Sequence, residues 1–296
     1  MLRFTLTSLC ALGLMACSHI NGGAVDPVPS SADQTSSEVT AGATAASTEF
    51  ANIPWKPSNP KAPQGVMVHI LSRNSETGAF NAIVKIPAGL KIPLHTHSAN
   101  FNAVTLSDGM VHASQTGVGS PLAKGSMWTQ PGDEPHVDEC HGEADCVLMV
   151  FFDGAIDTHF VDAPAADPKM VVTPADKVVW KAVRPEMENS PRIAILSGNP
   201  KEGAFSALFE FPAGMATNVH SHTARFVGAV ISGTHHRGSA ADQLMTLTTG
   251  AVWSEKSGAP HMEQCGMNES CVIAVQMDGA LDEKQVEITT AQASVK

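Results

Sequence analysis

From about residue 50 onward the chain carries short apolar runs bounded by Gly, Pro, Asn or Asp. Val66 to Leu71, Phe80 to Ile86, Asn102 to Leu106, Met127 to Gln130 and Cys146 to Phe152 are rich in β-branched or apolar residues and read as strands. No stretch shows the 3.6-residue periodicity of an amphipathic helix. Regular short strands separated by turn signals predict an all-β protein built of sandwiches or small barrels.

The pattern occurs twice. Sliding the chain along itself by 125 positions, the distance from His95 to His220, superposes Trp55 on Trp180 and Ile70-Leu71-Ser72 on Ile195-Leu196-Ser197. The same offset superposes Gly78-Ala79-Phe80 on Gly203-Ala204-Phe205, Trp128 on Trp253 and Pro135-His136 on Pro260-His261. Self-similarity of this extent is duplication. Matching Gly109 to Gly233 requires a small compensated indel, which pairs His112 with His236. The expected units are residues 50–172 and 173–296, joined through Pro164 to Asp176.

The N-terminal stretch has a different character. Arg3 precedes an apolar run from Phe4 to Leu14, and Leu14-Met15-Ala16-Cys17 resembles the lipobox of bacterial lipoproteins. The run is too short to span a bilayer, which takes about 20 residues. Residues 1–17 are therefore expected to be a signal peptide with Cys17 as the lipidated residue. Residues 18–49, rich in Ser, Ala, Thr, Gly and Pro, are expected to form a flexible tether. By the same analogy, Ser18 points to the periplasmic face of the outer membrane, with the lipid as the only membrane contact.

Composition narrows the partners. With 296 residues and 43% hydrophobic content the chain can bury substantial cores. A net charge of −11 with only 18 Lys and Arg, scattered, argues against nucleic acid. Two C-x5-C pairs, Cys140 with Cys146 and Cys265 with Cys271, fit disulfides in an oxidising compartment. A metal site of Cys140, His141 and Cys146, or free buried thiols, are the competing readings; Gly266 stands at the position of His141 in the second copy.

The chemistry lies in the histidines. His95 and His97, like His220 and His222, are two apart and on a strand would share a face. His136 and His261, about forty residues on, would complete a set of three neutral nitrogen ligands in each repeat. Such a set suits a divalent Fe, Mn, Zn, Cu or Ni ion and leaves positions open. Hydrogen-bonded core histidines are the alternative.

These elements resemble the cupin superfamily, whose first motif is G-x5-H-x-H-x3,4-E-x6-G and whose second is G-x5-P-x-G-x2-H-x3-N. The first resembles Gly89, His95, His97 and Gly109, and again Gly214, His220, His222 and Gly233; the second resembles Gly125 to His136 and Gly250 to His261. PAG before His-x-His and a Trp after the second-motif Gly are similar to a bacterial double-cupin family known as a domain of unknown function, distantly like the cupin of ChrR-type anti-sigma factors. The resemblance implies two tandem jelly-roll β-barrels.

The sequence departs from the superfamily at the glutamate ligand, where Phe101 or Asn102 stands in one copy and Phe226 or Val227 in the other. The sites thus resemble the three-histidine variants of some cupin dioxygenases. Asn102, His112, His236, Trp128 and Trp253 are candidate pocket residues, although turn histidines and strand tryptophans are often structural. Glu134, Asp138, Glu139 and Glu263 read as solvated loop residues that could include a base, and Arg225 as an anion contact without a counterpart at Asn100. A metal-dependent enzyme on a small molecule and a non-catalytic metal or ligand binder both remain open, and a homodimer is possible. Walker-type and dinucleotide-binding loops and a G-x-S-x-G elbow are missing from the sequence.

Overall fold

The computed structural model describes residues 46–58 and 60–286. The lipobox with Cys17 and most of the expected tether lie outside the described residues. At the tether's end, Ala46–Thr48 already form a strand.

Each repeat is a barrel made of one large and one smaller antiparallel array. The large sheet of the first repeat runs Val171–Thr173, Met127–Gln130, Phe101–Thr105, Cys146–Phe152, Phe80–Ile86, Met67–Arg73, Lys56–Pro57. In the second repeat the order is Ala46–Thr48, Val252–Glu255, Phe226–Ser232, Cys271–Met277, Phe205–Phe211, Arg192–Gly198, Lys181–Ala182. The leading strands, 125 residues apart, are exchanged: Ala46–Thr48, which leads into the first repeat, pairs with Val252–Ser254 of the second, and Val171–Thr173, which leads into the second, pairs with Met127–Thr129 of the first. The two barrels are therefore fastened to each other by backbone ladders as well as by side chains.

The near-continuous apolar runs follow from burial on both faces of the large sheets. All seven residues of Cys146–Phe152 are buried. Leu148, Val150 and Phe152 face the interior of their own barrel. Val147, Met149 and Phe151 face a core shared with Leu208, Val227, Ala229 and Ala274 of the second repeat. One alternation thus fills two cores, and the barrel interior of the second repeat has its own cluster around Phe205, Phe226 and Trp253.

The small arrays differ. In the first repeat, His159–Phe160, Lys91–Thr96, His136–Cys140 and Met110–Ala113 form one four-stranded sheet. In the second, only His220–Ser221 is extended where Lys91–Thr96 would lead, and it pairs with Lys284–Gln285. Its tie to the neighbouring chain is reduced to single bridges from His220 to His261 and from Ala216 to Gln264. Cys140 with Cys146 and Cys265 with Cys271 sit at disulfide distance, their Cα atoms 5.6 and 5.7 Å apart. The alternative metal site at Cys140 and Cys146 does not form, since His141 turns to Glu139 instead.

The register corrects the matching of the repeats. His112 lies opposite Asp138, and Arg237 lies opposite Glu263. With Asp138 and Glu263 at equivalent positions, the counterpart of His112 is Arg237 and not His236. The turns Ser107–Gly109 and Ser232–Thr234 have equal length, and the glycine with positive φ has moved by one position within them, from Gly109 to Gly233. No indel is needed.

Candidate metal centres

His95, His97 and His136 converge, with one ring nitrogen of each within 4.8 Å of the others; His220, His222 and His261 do the same. The two triads are almost congruent. Ring centroids lie 4.2, 5.0 and 5.2 Å apart in the first and 4.3, 5.0 and 5.1 Å apart in the second. His95 is in its strand and His97 just beyond its end, while the third histidine opens the adjacent strand or precedes it.

Every ring is held by its Nδ1. His95 donates to the Pro93 carbonyl at 2.8 Å and His136 to the Glu134 carbonyl at 3.1 Å. His220 donates to the Asn218 carbonyl at 2.8 Å and His261 to the Ala259 carbonyl at 3.2 Å. His97 and His222 reach the carbonyls of Asp157 and Asp282. The Asp157 and Asp282 carboxylates in turn accept from the backbone of Ser98 and Thr223, so the chain on both sides of the contact is fixed. With Nδ1 donating, Nε2 carries a lone pair and points to the common centre.

At that centre the Nε2 atoms of His136 and His261 are buried and lack a hydrogen-bond partner. Burial lowers His97 to about 4 and holds His136 well below its ordinary value; it also lowers His222. Neutral imidazoles whose lone pairs converge on one point and have no protein donor fit a metal ion. The residues present therefore suit the divalent cation that the three-histidine pattern implies.

A carboxylate sits beside each triad, on the strand residue two beyond the distal histidine. Asp138 Oδ2 lies 3.6 Å from His95 Nε2 and 3.8 Å from His136 Nε2. Burial pushes Asp138 up, but the charge and 2.8 Å hydrogen bond of His112, with His136 and His95, hold it well below the usual carboxylate range. His112 also contacts Gln130 Oε1 at 3.1 Å and stacks on Trp128 at 4.6 Å. In the second repeat Arg237 replaces His112, bonded to both Glu263 and Glu255 and lying over the rings of Phe226 and Trp253. Burial raises Glu263, and Arg237 with His235 drives it well below the ordinary range. Glu255 also reaches His261 Nδ1, at 3.1 Å.

The expected pocket residues divide. His112 and Trp128 stand next to the first triad. Trp253 stacks on His235 and, unlike Trp128, is not among the side chains that line the cavity of its repeat. Asn102 faces away: strand alternation turns it to the interface between the barrels, where it bonds Ser197 at 2.9 Å, and Phe101 takes the inner face against His97 and His136. His236 lies on the outer face of its strand and bonds Thr246. Asp138 and Glu263 are buried rather than solvated. Arg225 is tied to Asp278 at 2.6 Å, as Asn100 is to Asp153 at 2.6 Å, so both hold the same loop and neither faces a ligand. Arg237, Gln130 and Glu255 were not expected from the sequence; the constant 125-residue offset from His112 to Arg237 and from Gln130 to Glu255 was the available signal.

A cavity opens on each triad. In the second repeat it measures about 420 Å³ and is lined by His220, His222 and Glu263 among largely apolar side chains. In the first it is about 80 Å³, lined by His95, His97 and Asp138.

Comparison with known proteins agrees with this architecture. Residues 122–284 match the model of the domain of unknown function DUF4437, more than half of the chain. The chain belongs to that family. Residues 43–155 match the ChrR cupin-like domain, so the first motif of the first repeat lies in recognised cupin sequence. No curated protein matches the chain. Among solved structures, a candidate dioxygenase from Nostoc punctiforme is similar at a TM-score of 0.66 and 10% identity, covering 83% of this chain and 87% of that one. The oxalate decarboxylase of Lactobacillus farciminis, in complex with formate, is similar at 0.51 and 13%, covering 81% and 88%. The 7S globulin of Momordica charantia is similar at 0.53 and 10%, covering 80% and 85%. At these identities the likeness shows a shared double-cupin fold.

Proposed function

We propose that this double cupin is an exported, metal-dependent enzyme that acts on a small molecule, dioxygenase-like in its three-histidine ligand set. The observation that carries the reading is the second triad: three imidazoles, each fixed through Nδ1, converge beside a cavity of about 420 Å³ lined by His220 and His222, within the size range of small-molecule sites. A divalent transition metal held there would supply Lewis acidity or dioxygen activation at its open positions.

The chain's own residues do the rest. Glu263 lines the cavity wall and is the carboxylate placed to accept a hydrogen bond from a substrate or water. Arg237 fixes Glu263 and Glu255 in position, and Glu255 orients His261. Phe205, Phe209, Phe211 and Phe226 make the inner walls apolar. Similarity to a candidate dioxygenase and to an oxalate decarboxylase supports enzymatic use of such a site. In the first repeat the small cavity favours the second reading, a metal held without turnover.

Export rests on the lipobox-like Leu14 to Cys17, which would anchor the chain to the periplasmic face of the outer membrane. Cys17→Ser should abolish incorporation of labelled palmitate, and persistent labelling would refute the anchor. For the activity, untagged protein is assayed for metal by elemental analysis and then for metal-dependent consumption of dioxygen or release of product across a panel of small neutral and acidic compounds. Turnover lost on His220→Ala with His222→Ala supports the enzyme; metal bound with no turnover on any compound argues for a binder.

A further inference from the structure

The two cavities are built from equivalent positions, yet one is about five times the other, 420 against 80 Å³. The side chains around the histidines differ as well. In the first repeat Ile92 and Pro93 belong to a complete strand, and Phe160 on the paired strand lies 6.2 Å from the His95 ring. In the second repeat Thr217, Asn218 and Gln285 occupy those positions, 125 residues on, and the strand shrinks to two residues. Behind the mouth the walls are apolar: Phe205, Phe209, Phe211, Phe226, Val275 and Met277.

The charges are spent within the protein. Arg184 at the rim is tied to Glu283 at 2.5 Å, and Arg237 is held by both Glu255 and Glu263. Two acids and one base, Glu263, Glu283 and Arg184, are the charged side chains lining the cavity. A carboxylate-bearing ligand would meet no unpaired cation of the protein there, and burying it beside Glu263 is costly. An apolar molecule with a single oxygen donor for the metal would match both the walls and the floor.

On the reading that the triads bind metal, we infer that the second repeat holds the only substrate chamber among the described residues and that it takes an uncharged, ring-bearing apolar molecule. The first repeat admits metal and molecules of only a few heavy atoms, because about 80 Å³ is the volume of two or three waters.

The test uses the full chain loaded with Co(II), whose visible bands report the metal sites, and 2-naphthol as the neutral probe, with oxalate as the dianionic one. One equivalent of 2-naphthol should bind per chain, with oxalate at least about tenfold weaker. Val275→Phe should weaken 2-naphthol at least about tenfold, since a methylene-scale change in an apolar pocket carries that much discrimination. Val150→Phe at the equivalent wall position of the first repeat should leave binding unchanged. If Val275→Phe loses its cobalt bands, Gln285→Phe on the exposed rim decides, and it should lose 2-naphthol with the bands intact. The inference is overturned by two equivalents of 2-naphthol, by none, by equal losses in both repeats, by oxalate binding as tightly, or by unchanged binding in Gln285→Phe. Absence of cobalt bands in the unaltered protein would instead overturn the metal reading.

Discussion

The two repeats keep the same three histidines in almost the same geometry and surround them differently. In the first, a histidine, His112, stands between an aspartate and a glutamine, Asp138 and Gln130. In the second, an arginine stands between two glutamates, Glu255 and Glu263. In the first, a full strand carrying Ile92 and Pro93 lies beside a small cavity; in the second, Thr217 and Asn218 stand at those positions beside a larger one. Duplication has thus preserved what holds a metal and let drift what decides which molecules reach it. The network around the second site is also the more demanding, because Arg237 and Glu255 are each only 2% exposed and every charge must find its partner inside the protein.

That contrast can be broken most severely at Arg237. Arg237→Met leaves Glu255 and Glu263 buried without their cation and should cost about 3–5 kcal/mol in denaturant unfolding. Installing the set of the first repeat through Arg237→His with Glu255→Gln and Glu263→Asp should recover most of that loss. A triple variant no more stable than Arg237→Met would show that the two networks are not interchangeable. His112→Leu strips Asp138 of its donor and should cost less, about 1–3 kcal/mol, because hydrogen bonds to Asp138 and Gln130 are lost and not a pair of buried ion contacts. Equal losses at His112 and Arg237 would contradict the asymmetry. The smallest effect is expected at Arg225→Ala, under about 1 kcal/mol, since its pair with Asp278 is at the surface.

Much of this was legible in the sequence, for reasons that can be stated residue by residue. Runs such as Cys146–Phe152 announced strands because β-branched and apolar residues between turn signals have few other solutions, and the 125-residue offset announced two barrels. The histidine triads were legible because i and i+2 on a strand share a face. The same rule applied to His136-Val137-Asp138 and His261-Met262-Glu263 would have placed both carboxylates beside the triads, but charged residues ordinarily signal solvent. Arg237 was hidden by a glycine that moved one position within its turn, which made His236 look like the partner of His112. Asn102 was misread because Asn102, Val104 and Leu106 do share a face, but that face meets the second barrel. An apolar residue on a strand buried on both sides does not say which core it enters. The exchange of Ala46–Thr48 and Val171–Thr173 between the sheets was likewise out of reach, since strand partners so far apart leave no local signal.

The central claim is that each repeat binds one metal ion through its own three histidines. Elemental analysis of untagged protein tests it most directly when the unaltered chain is compared with His95→Ala/His97→Ala and His220→Ala/His222→Ala, with circular dichroism confirming intact strands. Two metal equivalents in the unaltered chain and one in each double variant are expected. Unchanged stoichiometry in either variant, or a chain that binds no metal while folded, would contradict the account.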